Sequence, residues 1–312
     1  MDLSKFDIFV TGGAGTLGRA IARKRKEEGW TGRLTVYSTD NHKHDFMRRL
    51  YPDVNFIQGD IRNGVTLLNG MVGHDIVIHA AAVKVIPDSE KDSIDTIDVN
   101  VYGSQNVCVA AMQANISHVI GISTDKACHP ANAYGAAKML MEKIFQEFAR
   151  MESNTKFHLV RYGNVLESTG SVVEWWNRAK ALGQPIKITY AGMTRFWISP
   201  RQAAGYVERA MDFESGLIYV PKMKALSVGK MAEYIVGDEV EIQRIPLRPG
   251  EKIHETLVTV EEMDRTEKGD DAFVVYPSTV TGIDFSKGWE HAYSSDVAEE
   301  LTESELAELL ND

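Results

Sequence analysis

A tyrosine and a lysine four residues apart give this sequence its clearest capacity for acid–base chemistry. Tyr134 and Lys138 form a YxxxK pair, and residues at this spacing lie on one face of a helix. A phenol is a poor base because its ordinary pKa is ~10, but a neighbouring ammonium stabilises the phenolate and lowers that pKa. The pair predicts a catalytic tyrosine activated by a lysine, although YxxxK also occurs by chance on exposed helices.

A second group of reactive side chains follows the apolar run at 118–122. Thr124 can hydrogen-bond an oxygen of a substrate, and Asp125 beside Lys126 places an acid and a potential base within one turn. The carboxyl end of a strand is where sites form in open α/β sheets. From these residues alone, a solvated loop pair is an equally good interpretation.

The segment TGGAGTLG at 11–18 has the spacing of a phosphate-binding turn. In this interpretation Gly12 permits the tight turn, Gly15 lets the backbone approach a pyrophosphate, and Gly18 allows close packing of helix on strand. The anion then sits on free N–H groups at the helix N-terminus. Because a strand precedes the turn and a helix follows it, the segment predicts a dinucleotide site, where Lys138 could also hold the nicotinamide ribose.

Two further positions bear on which dinucleotide is bound. The second strand ends in Tyr37-Ser38-Thr39-Asp40, where a ribose contact belongs. An acidic side chain there favours NAD, whereas hydroxyls with the nearby Lys43 tolerate the 2′-phosphate of NADP, so both remain open. Asp60 follows the third strand, and it either reaches the adenine amine or caps a turn.

Short apolar runs alternate with amphipathic stretches through the first half of the chain. We predict strands at 6–10, 34–37, 55–57, 75–78, 118–122 and 157–160, and helices at 15–28, 94–114 and 134–151. This alternation is typical of a doubly wound parallel α/β sheet of the Rossmann type. We expect a dinucleotide-binding domain at 1–163, with segments near 194–220 returning to it. The region 164–312 is expected to be mainly a smaller substrate-binding lobe that ends in one helix within 295–312.

The composition excludes several classes of protein. The net charge of −10, from 34 basic and 44 acidic side chains, argues against nucleic acid or an anionic membrane as partner. No apolar run approaches the ~18–20 residues that span a bilayer, and the start resembles no signal peptide. Cys108 and Cys128 suit a reducing cytoplasm. The nine histidines show no HxxxH or HExxH spacing, so no metal site is expected.

Longer strings of residues resemble one enzyme family. The sequence is similar to the extended short-chain dehydrogenase/reductases that act on nucleotide sugars. Within them it resembles the soluble, inverting UDP-N-acetylglucosamine 4,6-dehydratases of the pseudaminic acid type, which belong to the polysaccharide biosynthesis proteins. The strings that carry the resemblance are TGGAGTLG (11–18), GDIR (59–62), HAAAVK (79–84), ISTDKA (122–127), NAYGAAK (132–138), VRYGNV (160–165), MTRFWI (193–198) and RPGEKIHE (248–255).

The resemblance implies a site and its partners. Thr124, Asp125, Lys126, Tyr134 and Lys138 would be catalytic. The cofactor, NADP with NAD as the alternative, would contact Thr11, Gly12, Gly15, Thr16, Leu17, Gly18, Ser38, Thr39, Lys43, Asp60, Ile61, Ala80, Ala81, Ala82, Lys84, Asn100, Tyr134 and Lys138. A UDP-sugar would contact Lys84, Asn164, Arg195, Arg248 and Glu251. The flanks of Arg195 favour a half-buried pocket wall over a surface cation. A cytoplasmic homo-oligomer, dimer or hexamer, is expected.

In the implied reaction Tyr134 takes the C4 hydroxyl proton while hydride leaves C4. Lys126, with a pKa depressed by burial and nearby cations, would remove the C5 proton, and a protonated Asp125 would donate to the departing C6 hydroxyl. The sequence leaves the acid and base roles of this pair open. Water leaves, hydride returns to C6, and protonation of C5 from the opposite face inverts it.

The chain also departs from the family pattern. Thr39 stands where the family usually has an arginine, which bears on NADP preference. Where the family has AALKH, this chain has AAVKV at 81–85, so Val83 replaces the leucine and Val85 replaces the histidine. Glu167 and Thr169 stand where the family tends to have Gly and Arg, in a loop that bears on substrate identity. The alternatives are another nucleotide-sugar enzyme, such as an epimerase or 4-keto reductase, or a catalytically silent dinucleotide-binding protein.

Overall fold

The structure is a computed structural model, and it describes residues 2–166, 168, 171–237, 240–282, 285 and 289–312. In chain order the strands are β1 (Ile8–Thr11), β2 (Leu34–Ser38), β3 (Asn55–Gln58), β4 (Ile76–His79), β5 (His118–Thr124), β6 (Lys156–Tyr162), β7 (Asn164–Val165), β8 (Ile186–Ile188), β9 (Thr194–Ile198), β10 (Ile218–Pro221), β11 (Ala225–Ser227), β12 (Ile242–Arg244), β13 (Thr256–Val258), β14 (Thr266–Lys268), β15 (Ala272–Val275) and β16 (Tyr293–Ser294).

Helices lie between most of these strands. They are α1 (Thr16–Glu28), α2 (Asn41–Leu50), α3 (Gly64–Met71), α4 (Ile86–Lys91), α5 (Ser93–Ile97), α6 (Gly103–Gln113), α7 (Ala133–Phe148), α8 (Val172–Ala181), α9 (Pro200–Ala210), α10 (Val228–Val236) and α11 (Glu303–Asn311). The predicted terminal helix is thus confined to α11, which begins after a capping box between Thr302 and Glu305.

The main sheet confirms the predicted doubly wound α/β fold. Its order is β3-β2-β1-β4-β5-β6-β10-β15-β14. The strands from β3 to β10 run parallel, and β15 and β14 add an antiparallel edge. Strands β1, β4 and β5 are buried along their whole length because helices cover both faces, which explains their continuous apolar runs.

The second half of the chain contributes to this sheet and also builds smaller ones. Strands β10, β14 and β15 join the main sheet, and α9 packs against α1. Strand β9, by contrast, pairs with β11 and β7 in a separate sheet. A second apolar cluster, which includes Leu166, Trp176, Trp197, Met231 and Leu306, lies apart from the main core. The division at residue 163 stays a prediction.

The long helix predicted at 94–114 is interrupted. The chain forms α5, then a π-helical turn over Asp98–Tyr102, and then α6. The side chain of Asn100, inside this turn, donates to the carbonyl of Val83 and accepts from its N–H, both at 2.8 Å. The buried Asn100 side chain thus satisfies the backbone hydrogen bonds of the loop after β4, which accounts for the π-helical turn. The pattern of apolar residues does not reveal such a turn.

Candidate active site

A groove of about 670 Å³ runs along the carboxyl ends of the parallel strands. It is centred on the crevice between β1 and β4, where the strand order reverses and ligands bind in such sheets. The predicted site residues that line it are Gly12, Gly15, Thr16, Leu17, Ser38, Thr39, Lys43, Asp60, Ile61, Ala80, Ala81, Ala82, Lys84, Thr124, Lys126, Tyr134, Lys138 and Asn164. Tyr162, Gly163 and Val165 also line it; they lie within the VRYGNV string, which was the available signal.

The glycine turn has the shape that a pyrophosphate requires. Gly12 has a φ of +64°, and a Cβ there would lie 2.6 Å from the backbone nitrogen of Ala81. At Gly18, which does not line the groove, a Cβ would collide with the carbonyl of Gly13. The hydroxyl of Thr16 is buried and makes no hydrogen bond within the described structure. An unpaired donor beside open N–H groups fits a bound phosphate oxygen.

Thr11 and Asn100 lie behind the groove instead of on its wall. The Thr11 hydroxyl is 2.8 Å from Nδ1 of His79, and Nε2 of His79 is 2.9 Å from the Ser104 hydroxyl, which donates to the carbonyl of Asn100. Burial lowers the pKa of His79 to about 3, so this histidine is a neutral hydrogen-bonding link. The chain of bonds fixes the ends of β1 and β4 against the π-helical turn.

The groove ends beside a group of polar side chains after β2. Lys43 and Thr39 line it, and Asp40 caps α2 by accepting from the Lys43 N–H and pairs with the Lys43 ammonium at 3.0 Å. The Ser38 hydroxyl is 2.7 Å from Nε2 of His44. Asp60 lies across the groove, where its carboxylate accepts from the backbone and side chain of Arg62. Asp60 is therefore a turn residue whose carboxylate is already engaged, although it faces the groove.

Tyr134 and Lys138 lie near the start of α7. Asn132 caps this helix by accepting a hydrogen bond from the Gly135 N–H. Both side chains lie in the first turns of the helix and line the groove. Burial lowers the pKa of Lys138 to about 8. Its ammonium lies 3.1 Å from the sulfur of Met141, a weak acceptor. It therefore retains donors for ribose hydroxyls.

The expected lowering of the Tyr134 pKa by its neighbouring lysine is wrong. Burial raises the pKa of Tyr134 to about 12, and this effect exceeds the opposing ones of the ammonium of Lys126 and a hydrogen bond with Thr124. The cation that acts on the Tyr134 pKa is Lys126, not the expected Lys138. A tyrosine in this state holds its proton at neutral pH.

The expected depression of the Lys126 pKa is also wrong. Burial alone would lower this pKa, but the carboxylates of Asp125 and Glu255 outweigh burial and the nearby Arg195, so the pKa is raised. The ammonium lies 3.0 Å from Asp125 Oδ1 and 3.4 Å from Glu255 Oε1. Asp125 is fully buried and does not line the groove, whereas Lys126 does. Lys126 is thus the member of the pair that can touch a ligand.

Sequence reasoning missed Glu255. This carboxylate is 3 % exposed and lies among Lys126, Lys252 and Arg195. The available signal was its place at the end of RPGEKIHE, from which only the arginine and the first glutamate were selected. Nothing in the local pattern indicates that this position meets the turn after β5, because the two segments are distant in sequence.

The predicted substrate residues are placed unequally. Asn164 lines the groove, and its Oδ1 is buried with no hydrogen bond in the described structure. Arg195 is buried beyond the expected half-buried wall: its guanidinium donates to the carbonyls of Thr194, Ile253 and Lys252. Arg248 is exposed and its N–H donates to Glu251. Arg195, Arg248 and Glu251 do not line the groove. Glu167 and Thr169 lie outside the described residues.

Other kinds of site are absent from the part of the chain that the structure describes. No group of histidine, cysteine and carboxylate side chains there could hold a metal ion. Within the same residues, no helix has the length and apolar character needed to cross a bilayer. Cys108 and Cys128 are free and buried.

Comparisons with known proteins agree with this geometry. The family "Polysaccharide biosynthesis protein" matches residues 8–277. The chain is 32% identical to the UDP-N-acetylglucosamine 4,6-dehydratase (inverting) of Campylobacter jejuni, covering 88% of this chain and 84% of that protein. It is 36% identical to the UDP-glucose 4-epimerase of Rickettsia conorii, covering 89% and 84%. The X-ray structure of Pen from Bacillus thuringiensis superposes with a TM-score of 0.90 at 27% identity, covering 100% and 98%.

Proposed function

The chain belongs to the polysaccharide biosynthesis protein family, and from this premise we propose that it is a UDP-N-acetylglucosamine 4,6-dehydratase that inverts C5. The product would be a UDP-4-keto-6-deoxy-hexosamine. Two similar curated proteins carry this dehydratase name.

The observation that carries the proposal is the Asp125–Lys126 pair at the groove. Lys126 lines the same groove as Tyr134, and Asp125 Oδ1 lies 3.0 Å from its ammonium. Oxidation at C4 uses Tyr134 with Thr124 and Lys138, whereas the expulsion of water needs further groups that move protons at C5 and O6. A 4-epimerase expels no water and leaves C5 intact, so it does not need such a pair.

A bound nicotinamide dinucleotide supplies one kind of chemistry here, the acceptance of hydride from C4 and its return to C6. Thr16, the glycine turn, Lys43 and Lys138 are the residues that would hold it. Tyr134 accepts the proton of the C4 hydroxyl as a phenolate, a form that a positively charged nicotinamide and the Lys138 ammonium would favour by lowering its raised pKa. Thr124 keeps the C4 oxygen in place by a hydrogen bond.

Asp125 and Lys126 act as one proton-exchanging unit. Transfer of a proton from the ammonium to Asp125 leaves an amine, which takes the C5 proton; the resulting ammonium then protonates the departing C6 hydroxyl as water. The pair ends with the number of protons it began with. The proton that Tyr134 took from the C4 hydroxyl passes to solvent, and a solvent proton reaches C5 on the opposite face and inverts it.

We assign NADP as the cofactor, with NAD as the alternative. The support is Lys43, which lines the groove after β2 and whose only described carboxylate partner is Asp40, a residue already used as a helix cap. A 2′-phosphate would compete with Asp40 for this ammonium. Lys43→Ala should weaken NADP binding by roughly tenfold and leave NAD binding unchanged, as measured by calorimetric titration of both. Equal losses for the two cofactors would contradict NADP preference.

We retain three further assignments as proposals. The UDP part of the substrate is bound by Lys84 and Asn164 at the groove, by Arg248 at the diphosphate and by Glu251 at the uridine ribose hydroxyls. The homo-oligomer is supported by apolar side chains exposed on neighbouring helices, Ile94 on α5, Tyr102 before α6 and Leu140 on α7. The cytoplasmic location rests on the two free cysteines.

The experiment is incubation of the protein with UDP-N-acetylglucosamine in heavy water, followed by mass spectrometry and NMR of the product. Loss of one water with deuterium at C5 in the L-arabino configuration is expected. Lys126→Ala should release about 10²–10⁴-fold less water while a 4-keto sugar and reduced cofactor still form. Water loss at the wild-type rate in this variant would remove the basis of the proposal.

The second candidate is a UDP-sugar 4-epimerase, which the similarity to the Rickettsia proteins favours. The same NMR spectra distinguish the two, because an epimerase inverts C4, retains the C6 hydroxyl and leaves C5 unlabelled.

A further inference from the structure

Glu255 is held rigidly by the second half of the chain. Its N–H donates to the Ser295 hydroxyl at 2.9 Å, and its carbonyl accepts from the Ser295 N–H at 2.8 Å. The Ser295 hydroxyl in turn donates to the carbonyl of Thr194 at 3.0 Å. The next residue begins β13, which pairs with β16. The backbone therefore fixes the origin of this side chain before any ligand binds.

The Glu255 carboxylate joins three cations from three segments. Its Oε1 lies 3.4 Å from the Lys126 ammonium and 4.0 Å from Nε of Arg195, and its Oε2 lies 3.5 Å from the Lys252 ammonium. Lys252 also donates to the carbonyl of Cys128 at 2.6 Å, just after the turn that carries Lys126. Glu255 and Lys252 thus hold this turn from the same side.

We propose that Glu255 is a positioning residue that holds the Lys126 ammonium at the wall of the groove. This inference rests on the proposed function, because it assigns a task to a residue outside the groove in the same reaction. Glu255 does not line the groove, whereas Lys126 does, so the carboxylate acts through the lysine.

The charges around Lys126 explain why one carboxylate is insufficient. The lysine faces Asp125 on its own turn, Glu255 from the loop before β13, Arg195 from β9 and Tyr134 from α7. With Glu255 neutral, one of the two carboxylates that raise the Lys126 pKa would be lost, while burial and Arg195 would still lower it, so this pKa would fall. The ammonium would keep Asp125 as its anionic partner but would lose the one at 3.4 Å that holds it from the other side.

The test compares Glu255→Gln, which keeps the size of the side chain, with the wild type. The first measurement is the pH titration of the Lys126 Cε signal by NMR, on protein with isotope-labelled lysine. The wild-type signal should show no titration up to pH 10.5, the ordinary lysine pKa. In Glu255→Gln the midpoint should fall by about 1–2 pH units. Glu300→Gln removes the carboxylate of an exposed pair with Lys230 and is the matched control.

The second measurement separates positioning from general damage. Glu255→Gln should lower kcat by about 10²-fold, while the Kd for UDP and C4 oxidation in a single turnover stay at wild-type values. Glu255→Asp, which keeps the charge on a shorter side chain, should lower the Lys126 midpoint less than Glu255→Gln does and should recover part of kcat. Should Glu255→Gln fail to fold, the Asp variant gives the same test through a smaller shift in the same direction.

Two results would overturn the inference: an unchanged Lys126 titration in Glu255→Gln, or a fall in kcat that is matched by equal losses in UDP binding and C4 oxidation. Failure of the wild type to release water from UDP-N-acetylglucosamine would instead overturn the proposed function. The NMR titration does not depend on turnover, so it still decides whether Glu255 holds Lys126.

Discussion

At the scale of single residues, the two lysines at the groove are in opposite electrostatic states. Lys138 has a pKa lowered to about 8 because burial removes water from its ammonium, an effect that Glu142 only partly offsets. Lys126 is less enclosed, with 17% of its side chain exposed, and two carboxylates raise its pKa. Lys138 is thus suited to donate to hydroxyl groups and Lys126 to carry a proton. The difference comes from the charged groups around each lysine.

Tyr134→Phe removes only the phenolic oxygen and should lower turnover by about 10²–10⁴-fold while the fold is retained. Lys138→Ala should abolish turnover as well, because the ribose loses its donor. The measurement is the steady-state rate of 4-keto sugar formation together with the thermal unfolding curve. Tyr276→Phe, which removes a hydroxyl bonded to Glu267 away from the groove, is the control. Full sugar-oxidising activity in both variants would refute the assignment.

At the scale of elements, the turn between β1 and α1 depends on one close approach. Gly12 and Gly29 both have a positive φ, of +64° and +65°, but a Cβ at Gly12 would meet Ala81, whereas nothing lies within 4 Å of one at Gly29. The two glycines therefore share their backbone strain and differ only in what surrounds them.

Gly12→Ala should abolish cofactor binding, because β1 and β4 must separate to admit the methyl group. Gly29→Ala should cost about 1 kcal/mol of stability and leave cofactor binding unchanged. The readouts are the free energy of unfolding in urea and the Kd of the dinucleotide for each variant. Undiminished cofactor affinity in Gly12→Ala would mean that the turn is an ordinary glycine-rich loop.

At the scale of the whole molecule, one buried arginine joins the two halves of the chain. Arg161 in β6 donates to both carboxylate oxygens of Glu142 in α7 and to both of Glu262 in the turn after β13. Glu142 also accepts from the Ser123 hydroxyl, next to Thr124. A bridge of this kind fixes the segment that carries Glu255 relative to the catalytic turn.

Burial would raise the pKa of Glu262, but Arg161 outweighs it and lowers this pKa to about 2, from an ordinary 4.5. A carboxyl whose pKa is lower in the folded state stabilises the protein fully above its unfolded pKa, and this contribution is lost as the pH falls from about 4.5 toward 2. Glu262→Gln should therefore cost about 3 kcal/mol at neutral pH, and the difference from wild type should shrink below pH 4.5.

Urea unfolding of both proteins from pH 7 to pH 3 measures this difference. The neighbouring Glu261→Gln is the matched control, because Glu261 is exposed and its described ion pair is with His129, which is also exposed. A constant difference between wild type and Glu262→Gln across this pH range would show that the bridge does not titrate as described.

The sequence by itself determined the features that rest on local pattern. The alternation of apolar runs with amphipathic stretches predicted the parallel sheet, and the glycine spacing predicted the turn after β1. The YxxxK spacing predicted that Tyr134 and Lys138 share a helix face. These predictions need only neighbouring residues, because hydrogen bonding within a helix or turn fixes the relation between positions a few residues apart.

Tertiary structure alone decided which distant side chains meet. The approach of Glu255 to Lys126, the burial of Arg195 among carbonyls, and the entry of β10, β14 and β15 into the main sheet all join segments far apart in the chain. The same contacts reversed the expected pKa of Lys126, because a charge acts through its distance in space and its burial. Neither quantity can be read from residue spacing along the chain.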